Sequence, residues 1–385
     1  MSDESDNFFS DKIAGAPHPM QTTKIIGHIS QKLDFLNCFA ENRIPLCCLL
    51  AGARGIGKAC FAWQVSKFLL TTTHKPTDLK IDLNSKDLNF ILEPKSGGIL
   101  SRITSGSEQR VHIVRRGYNE SRKTFFKNIS IDEIRKLQSY CSLSIADGGK
   151  RIIIIDSADD LNKSSGNALL KLLEEPPTNT LFLLISHQSN LLLSTIKSRC
   201  QKLSFSSLNE ADLTAVLATI GCKVNQTEEK ALSILSKGSA GAACRIINSN
   251  CINLYKDILN IISSLPTLNI NKTLQLNQDY FVKAKSDNFE IFFEMMQQFF
   301  SRLCKTGAMQ SPILPSVSNE EEKIMTYLCP SPESAYLWSE AANITLAKLN
   351  KGHLLNINIE SLIMDAFIYL ETCYKTISQN RVTNE

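Results

Sequence analysis

The hydrophobic pattern changes character about half-way along the chain. Residues 44–51 form a short apolar run that ends in a glycine-rich turn, and from Cys60 to Leu70 apolar residues recur at helical spacing, which predicts strand, loop and helix in that order. Arg151 and Asp156 bracket four consecutive isoleucines. A run without polar alternation predicts a strand buried on both faces of a parallel sheet. A helix over residues 163–174, stopped by Pro176 and Pro177, leads to a second apolar run at 180–185 that ends at Ser186, and a last short strand spans 201–205. Ahead of the isoleucines, Ser130 with Glu133 three residues later has the form of a capping box, so a helix carrying Ile131, Ile134, Leu137 and Cys141 on one face is predicted. From Leu208 onward strand signals stop, and Leu, Ile and Phe at three- and four-residue spacing predict helices to the end, with a break near residues 263–267.

This order predicts an α/β module, a parallel sheet flanked by helices, over residues 1–206, followed by a small helical domain at 207–262 and an all-α domain at 263–385. The stretch 71–128 is polar, holds Pro76, Pro94, Gly97 and Gly98, and has weak periodicity; it predicts a surface insertion. The C-terminal stripe Phe292, Phe293, Met296 and Phe299 predicts core or subunit contact.

The first turn carries the chemistry. Gly52, Gly55, Ile56, Gly57, Lys58 and Ala59 lie in a G-x-x-x-x-G-K pattern directly after a strand and before a helix, the setting of a P-loop. Its glycines let backbone N–H groups converge on a phosphate, and Lys58 can reach the terminal phosphates. The next residue should offer a hydroxyl to Mg²⁺, and Ala59 has none. Asp156 ends the buried strand where a Walker B carboxylate belongs, but Ser157 follows where a water-polarising glutamate would stand; Asp159 and Asp160 are expected to be solvated or helix-capping. Ser186 sits where a sensor of the γ-phosphate would lie, or is a plain strand-terminal serine. A chain that binds ATP or ADP weakly or not at all, and does not hydrolyse it, is expected.

Composition removes several classes. Twelve cysteines without a C-x-x-C pair give no usual zinc spacing, so reduced thiols and no metal site are expected. An acidic, polar start and no apolar run near 18 residues predict a soluble, cytoplasmic protein without membrane contact. A net charge of +4 is too small for a dedicated nucleic-acid coat.

His18-Pro19, Gly27-His28, the run from Gly55 to Ala59, the run from Ser165 to Pro177, and Thr195 to Cys200 together resemble the delta-prime subunit family of the bacterial DNA polymerase III clamp loader, within the AAA+ group. The likeness is strong over residues 27–205 and architectural beyond. It implies that 263–385 form an oligomerisation collar and that 207–262 form the lid. It further implies a place in a hetero-oligomeric ring with delta and gamma/tau-like subunits, a sliding clamp and primer-template DNA as partners through that ring, and membership of the DNA-directed DNA polymerase holoenzyme without an ATPase of its own. Ser198, Arg199 and Cys200 match the family's Ser-Arg-Cys motif, whose arginine acts as a finger in a neighbour's nucleotide site. A salt bridge within the chain is the plainer role for Arg199. Three departures accompany the likeness: no cysteine between Phe61 and Tyr140 for the family's zinc module, no arginine in Gly238 to Ala243 with Arg245 further on, and no motif in the C-terminal helices.

Two rivals stand beside this reading. One is an ATP-hydrolysing motor of gamma/tau type or another AAA+ ATPase. The other is a DNA-binding accessory protein using Arg110, Arg115, Arg116, Arg122, Lys123 and Lys127, which a solvated insertion also explains. Glu174 and Glu175 stand at a helix C-terminus, where the dipole disfavours them without a partner or full solvation.

Overall fold

The computed structural model describes residues 9–13, 15–72, 97–143, 149–222, 224–249, 251–282 and 288–382. They divide into two compact units, residues 1–221 with 238–244, and residues 222–237 with 245–385.

The first unit is built on five parallel strands in the spatial order β2-β5-β6-β1-β7: β1 (Cys47–Ala51), β2 (Val111–Arg115), β5 (Arg151–Asp156), β6 (Thr180–Ser186) and β7 (Gln201–Ser204). A separate hairpin joins β3 (Tyr118–Asn119) to β4 (Thr124–Phe125). The isoleucine run behaves as its lack of alternation predicts, because the sheet is covered on both sides. Ile152 and Ile154 join Leu181 and Leu183 in the core beneath α1 (Ile29–Ala40) and α2 (Lys58–Thr71). Ile153 and Ile155 join Phe182 and Leu184 beneath α4 (Ile131–Ser142) and α5 (Lys163–Glu174). Each such side chain contributes roughly 1.5–3 kcal/mol on burial.

The helix ends follow local chemistry. The Ser165 N–H donates to Asn162 Oδ1 at 2.9 Å at the start of α5. Glu133 N–H donates to Ser130 Oγ at 3.3 Å at the start of α4. The expected box closes only in this one direction, since the Glu133 carboxylate accepts instead from Lys136 at 2.6 Å. The segment read as a polar insertion is more ordered than its composition suggests. Its residues 98–104 form α3 (Gly98–Thr104), and 111–115 are edge strand β2, paired with β5 from Val111 against Ile152 to Arg115 against Asp156. Val111 and Ile113 are only partly buried on one face, Val114 is buried on the other, and His112 and Arg115 interrupt the run, so its apolar signal is weak. Pro76 and Pro94 lie outside the described residues.

The chain ahead of α1 is held by two buried amines: Lys67 Nζ donates to the Thr22 carbonyl at 2.7 Å and Lys32 Nζ to the Ile25 carbonyl at 2.5 Å. Burial pushes both lysines down to about 8. The short α6 (Ser194–Lys197), α7 (Glu210–Thr219) and the first turn of α9 (Ala240–Asn248) complete this unit.

The second unit holds α8 (Gln226–Ser236), α10 (Cys251–Ile262), α11 (Ile270–Asn277), α12 (Asn288–Met309), α13 (Asn319–Leu328), α14 (Pro332–Leu354) and α15 (Ile359–Val382). The predicted break falls between α10 and α11. Phe292, Met296 and Phe299 are fully buried on α12, which makes the aromatic stripe core, with Phe293 half-buried at its border. Inside this apolar packing sits one charged network. Glu321, 1% exposed, accepts from Arg302 Nε at 2.7 Å and Nη2 at 3.0 Å, from the Tyr255 hydroxyl at 2.7 Å and from the Val317 N–H at 2.6 Å. Removing one partner of such a pair strands the other charge. Glu321→Ala should therefore cost about 3–5 kcal/mol, read as a lower urea midpoint for loss of helical ellipticity.

Candidate functional site

The phosphate loop is set by close approach of backbone. Gly52 adopts φ +156°, and a Cβ there would overlap the carbonyl oxygen of Phe205. Gly55, at φ +77°, faces the start of α9: a Cβ would lie 2.6 Å from Ser239 Oγ and 3.0 Å from Gly241 Cα. Only glycine suits these positions. The loop is then tied from two sides. The Gly241 N–H donates to the Gly55 carbonyl at 2.9 Å and Ser239 Oγ to the Arg54 carbonyl at 2.9 Å. From the other side His28 Nε2 donates to the Ile56 carbonyl at 2.7 Å, its ring edge-on to Phe205. The paired Gly27-His28 in the sequence is thus a brace for the loop; burial holds His28 below its ordinary pKa.

Lys58 opens α2, 2% exposed, and its Nζ donates to the carbonyls of Gly52, at 2.7 Å, and Ala53. Burial lowers it to about 8, against the attraction of Asp156 and Asp159. Asp156, at the tip of β5, is pushed up to about 7 by burial and by the charge of Asp11, with Lys58 pulling the other way. Ser157 is buried beside it, and Ala59 presents only its methyl group.

Two aspartates do not behave as the sequence suggested. Asp159 is neither solvated nor a helix cap: it accepts from Ser186 Oγ at 2.7 Å and from the backbone N–H of His187 and Gln188, tying the end of β6 to the turn after β5. Asp160 pairs with Arg116 at 3.3 Å. Ser186 is fully buried and its hydroxyl is committed to Asp159. Burial presses neighbouring His187 down to about 4.

A cleft of about 250 Å³ lies among these groups, its lining including the polar Lys58, Asp156 and His187 and the apolar Ile25, Val216 and Cys244. Sequence reasoning missed its near wall. Asp11, almost wholly buried, accepts from His18 at 3.0 Å and from Arg115 at 2.7 Å, and Arg115 lies over the Phe9 ring at 3.9 Å. Burial alone would raise Asp11; the His18 hydrogen bond and the Arg115 charge outweigh it. The signal available was weak, an isolated acid and a His-Pro pair.

Arg199 follows α6. Its Nη2 pairs with Glu174 Oε1 at 2.6 Å and its Nη1 donates to the Thr195 carbonyl at 2.9 Å and to Ser198 Oγ at 3.3 Å. The within-chain salt bridge is therefore present, and it supplies the partner that the dipole demands for Glu174. The guanidinium side chain stays 34% exposed. Cys200 is half-buried, its thiol pushed up to about 11 by burial. Arg245 pairs with Glu294 at 3.4 Å. In the basic stretch Arg110 pairs with Glu108, Arg115 with Asp11 and Arg116 with Asp160; Arg122, Lys123 and Lys127 are exposed. Among the described residues no cluster of His, Cys, Asp and Glu could hold a metal, and no helix is long and apolar enough to cross a membrane.

Comparison with known proteins places this geometry. Residues 28–209, from the loop brace to the end of the sheet, match the family model described as DNA polymerase III, delta subunit. Over these residues, just under half of the chain, it is similar to subunits of DNA polymerase III. It is 45% identical to DNA polymerase III subunit delta' of Pseudomonas aeruginosa over 74 residues, 19% of this chain and 23% of that protein. It is 29% identical to subunit delta' of Buchnera aphidicola subsp. Acyrthosiphon pisum, over 64% of this chain and 71% of the relative. Subunit tau of Bacillus subtilis is 26% identical over 73% of this chain and 47% of its own length. The first relatives are thus spanned over about a quarter to two thirds of their length. A gamma-subunit-related DNA polymerase III protein of Thermotoga maritima aligns over 89% of this chain and 99% of its own at 16% identity and a TM-score of 0.41.

Asp156 makes the site's electrostatics measurable. Its pKa in the fold, about 7, lies above the unfolded 3.8, so the folded chain binds the extra proton in that window and this group's contribution falls as pH rises through it. Asp156→Asn should gain stability relative to the parent from pH 4 to 7, ending on the order of 4 kcal/mol ahead at pH 8, as urea titrations at each pH would show. His187 has the opposite slope but is common to both chains.

Proposed function

We propose that this chain is a non-hydrolysing clamp-loader subunit of delta-prime type, a rigid member of the hetero-oligomeric ring that loads the sliding clamp on primed DNA. One observation carries the reading: a complete phosphate cradle, with Lys58 and Asp156 in place, lacks the hydroxyl that would hold a metal at Ala59 and the carboxylate that would polarise water at Ser157. Gly55, Gly57 and Lys58 would hold a phosphate chain, Ile25, Val216 and Cys244 would cover a base, and without a hydroxyl at Ala59 magnesium would be left with Asp156 alone. Nucleotide binding is then weak and turnover absent.

The chain's contribution to hydrolysis is made in trans. Arg199, part-exposed after α6, delivers a planar cation to the nucleotide site of an adjacent motor subunit, where it offsets charge that builds on the transferring phosphoryl group. Such a residue is worth roughly 10³–10⁵ in rate. The rival motor reading draws on the gamma and tau relatives, which align over more of this chain than the Pseudomonas aeruginosa subunit does.

Two measurements separate them. Purified alone, the chain should show no ATP turnover, and Ala59→Ser should raise its calorimetric affinity for Mg-ATP by severalfold by restoring a metal ligand; sustained turnover by the parent would establish the motor instead. In the reconstituted ring, Arg199→Ala should leave assembly on size-exclusion chromatography intact while reducing DNA-stimulated ATP hydrolysis at least tenfold, and an unchanged rate would remove the finger.

A further inference from the structure

We infer that Glu174 is a positioning residue for Arg199, holding the guanidinium in the orientation in which it meets a neighbour's phosphate; this rests on the finger reading above. The geometry is assembled by packing that precedes the ion pair. Gly166, buried on α5, has no Cβ, and one placed there would come 2.9 Å from Leu193 Cδ1. That absence lets the turn into α6 settle on α5, with Ile196 buried under it. The final residue of α5, Glu174, and the residue two beyond the end of α6, Arg199, are thereby brought together.

The arrangement restricts a long side chain at both ends of its planar group. Arginine has five N–H donors in a fixed fork. Glu174 takes one on Nη2, and Thr195 and Ser198 take those on Nη1. The proton on Nε and one on Nη2 remain, enough for a two-pronged contact with phosphate oxygens. A free arginine would lose rotamer freedom on ordering, and the carboxylate meets part of that loss in advance. The bond itself is exposed on both sides, 34% and 48%, so it adds little to the stability of the fold. Its value therefore lies in orientation, which distinguishes it from the buried Glu321 pair.

The test uses the full ring reconstituted with the parent chain, Arg199→Ala, Glu174→Gln or Glu174→Asp, and reads kcat and KM for ATP in the presence of clamp and primed DNA. Glu174→Gln keeps the shape and removes the charge; it should lower kcat about tenfold with KM unchanged and with normal assembly. Glu174→Asp, which keeps the charge on a shorter stem, should recover most of that loss. A merely structural pair would lower the yield of ring and leave kcat per ring unchanged. If Arg199→Ala is impaired while Glu174→Gln turns over as fast as the parent, or faster, the positioning role is overturned and the finger stands. If Arg199→Ala is itself unimpaired, both fall. Should Glu174→Gln fail to assemble, the pair is structural and the positioning role is overturned.

Discussion

The whole site depends on how closely three stretches of backbone approach one another around the phosphate loop. Gly52 passes the Phe205 carbonyl with no room for a side-chain carbon, and Gly55 passes Ser239 and Gly241 in the same way. Parallel pairing of β1 with β6 and β7 fixes the first approach, since Ala51 lies in register with Ser186 and Ser204. The second couples the loop to the start of α9, so a backbone shift in either must be felt by the other. His28 supports the loop from a third direction.

Within that frame the charges are arranged to balance locally. Lys58 is buried against its own loop carbonyls and within reach of Asp156 and Asp159, while Asp159 spends its oxygens on Ser186 and two backbone N–H groups. The carboxylate that accepts from Ser186 thus ties together the ends of two strands. The same economy appears at Arg199, whose nearest carboxylate belongs to its own chain.

Much of this was legible in the residues because strong patterns have single physical causes. Four isoleucines in a row can be accommodated only by a sheet covered on both sides, and the glycine pattern before Lys58 fits only a turn that brings N–H groups together. What escaped notice lacked such a signature. Strand β2 meets both cores through partly buried Val111 and Ile113 and buried Val114, with His112 and Arg115 between and after them, so its sequence shows neither a continuous apolar run nor a clean alternation. Asp11 reads as an ordinary polar residue, and nothing local shows that Arg115, 104 positions away, will meet it. Asp159 looked solvated because its partners come from the end of another strand. Glu133 looked like half of a reciprocal cap, but a lysine one turn along offered its carboxylate a charged donor in place of a neutral N–H.

The pairing of three arginines in the basic stretch has a consequence for long-range attraction. Arg110, Arg115 and Arg116 each have a carboxylate within 3.3 Å, leaving Arg122, Lys123 and Lys127 as the exposed cations there. A duplex approaching that surface would give up counterions to about three charges and not six, roughly halving the steepness with which ionic strength weakens the encounter. A polyelectrolyte would therefore meet a mild field at this face, weak enough to let go.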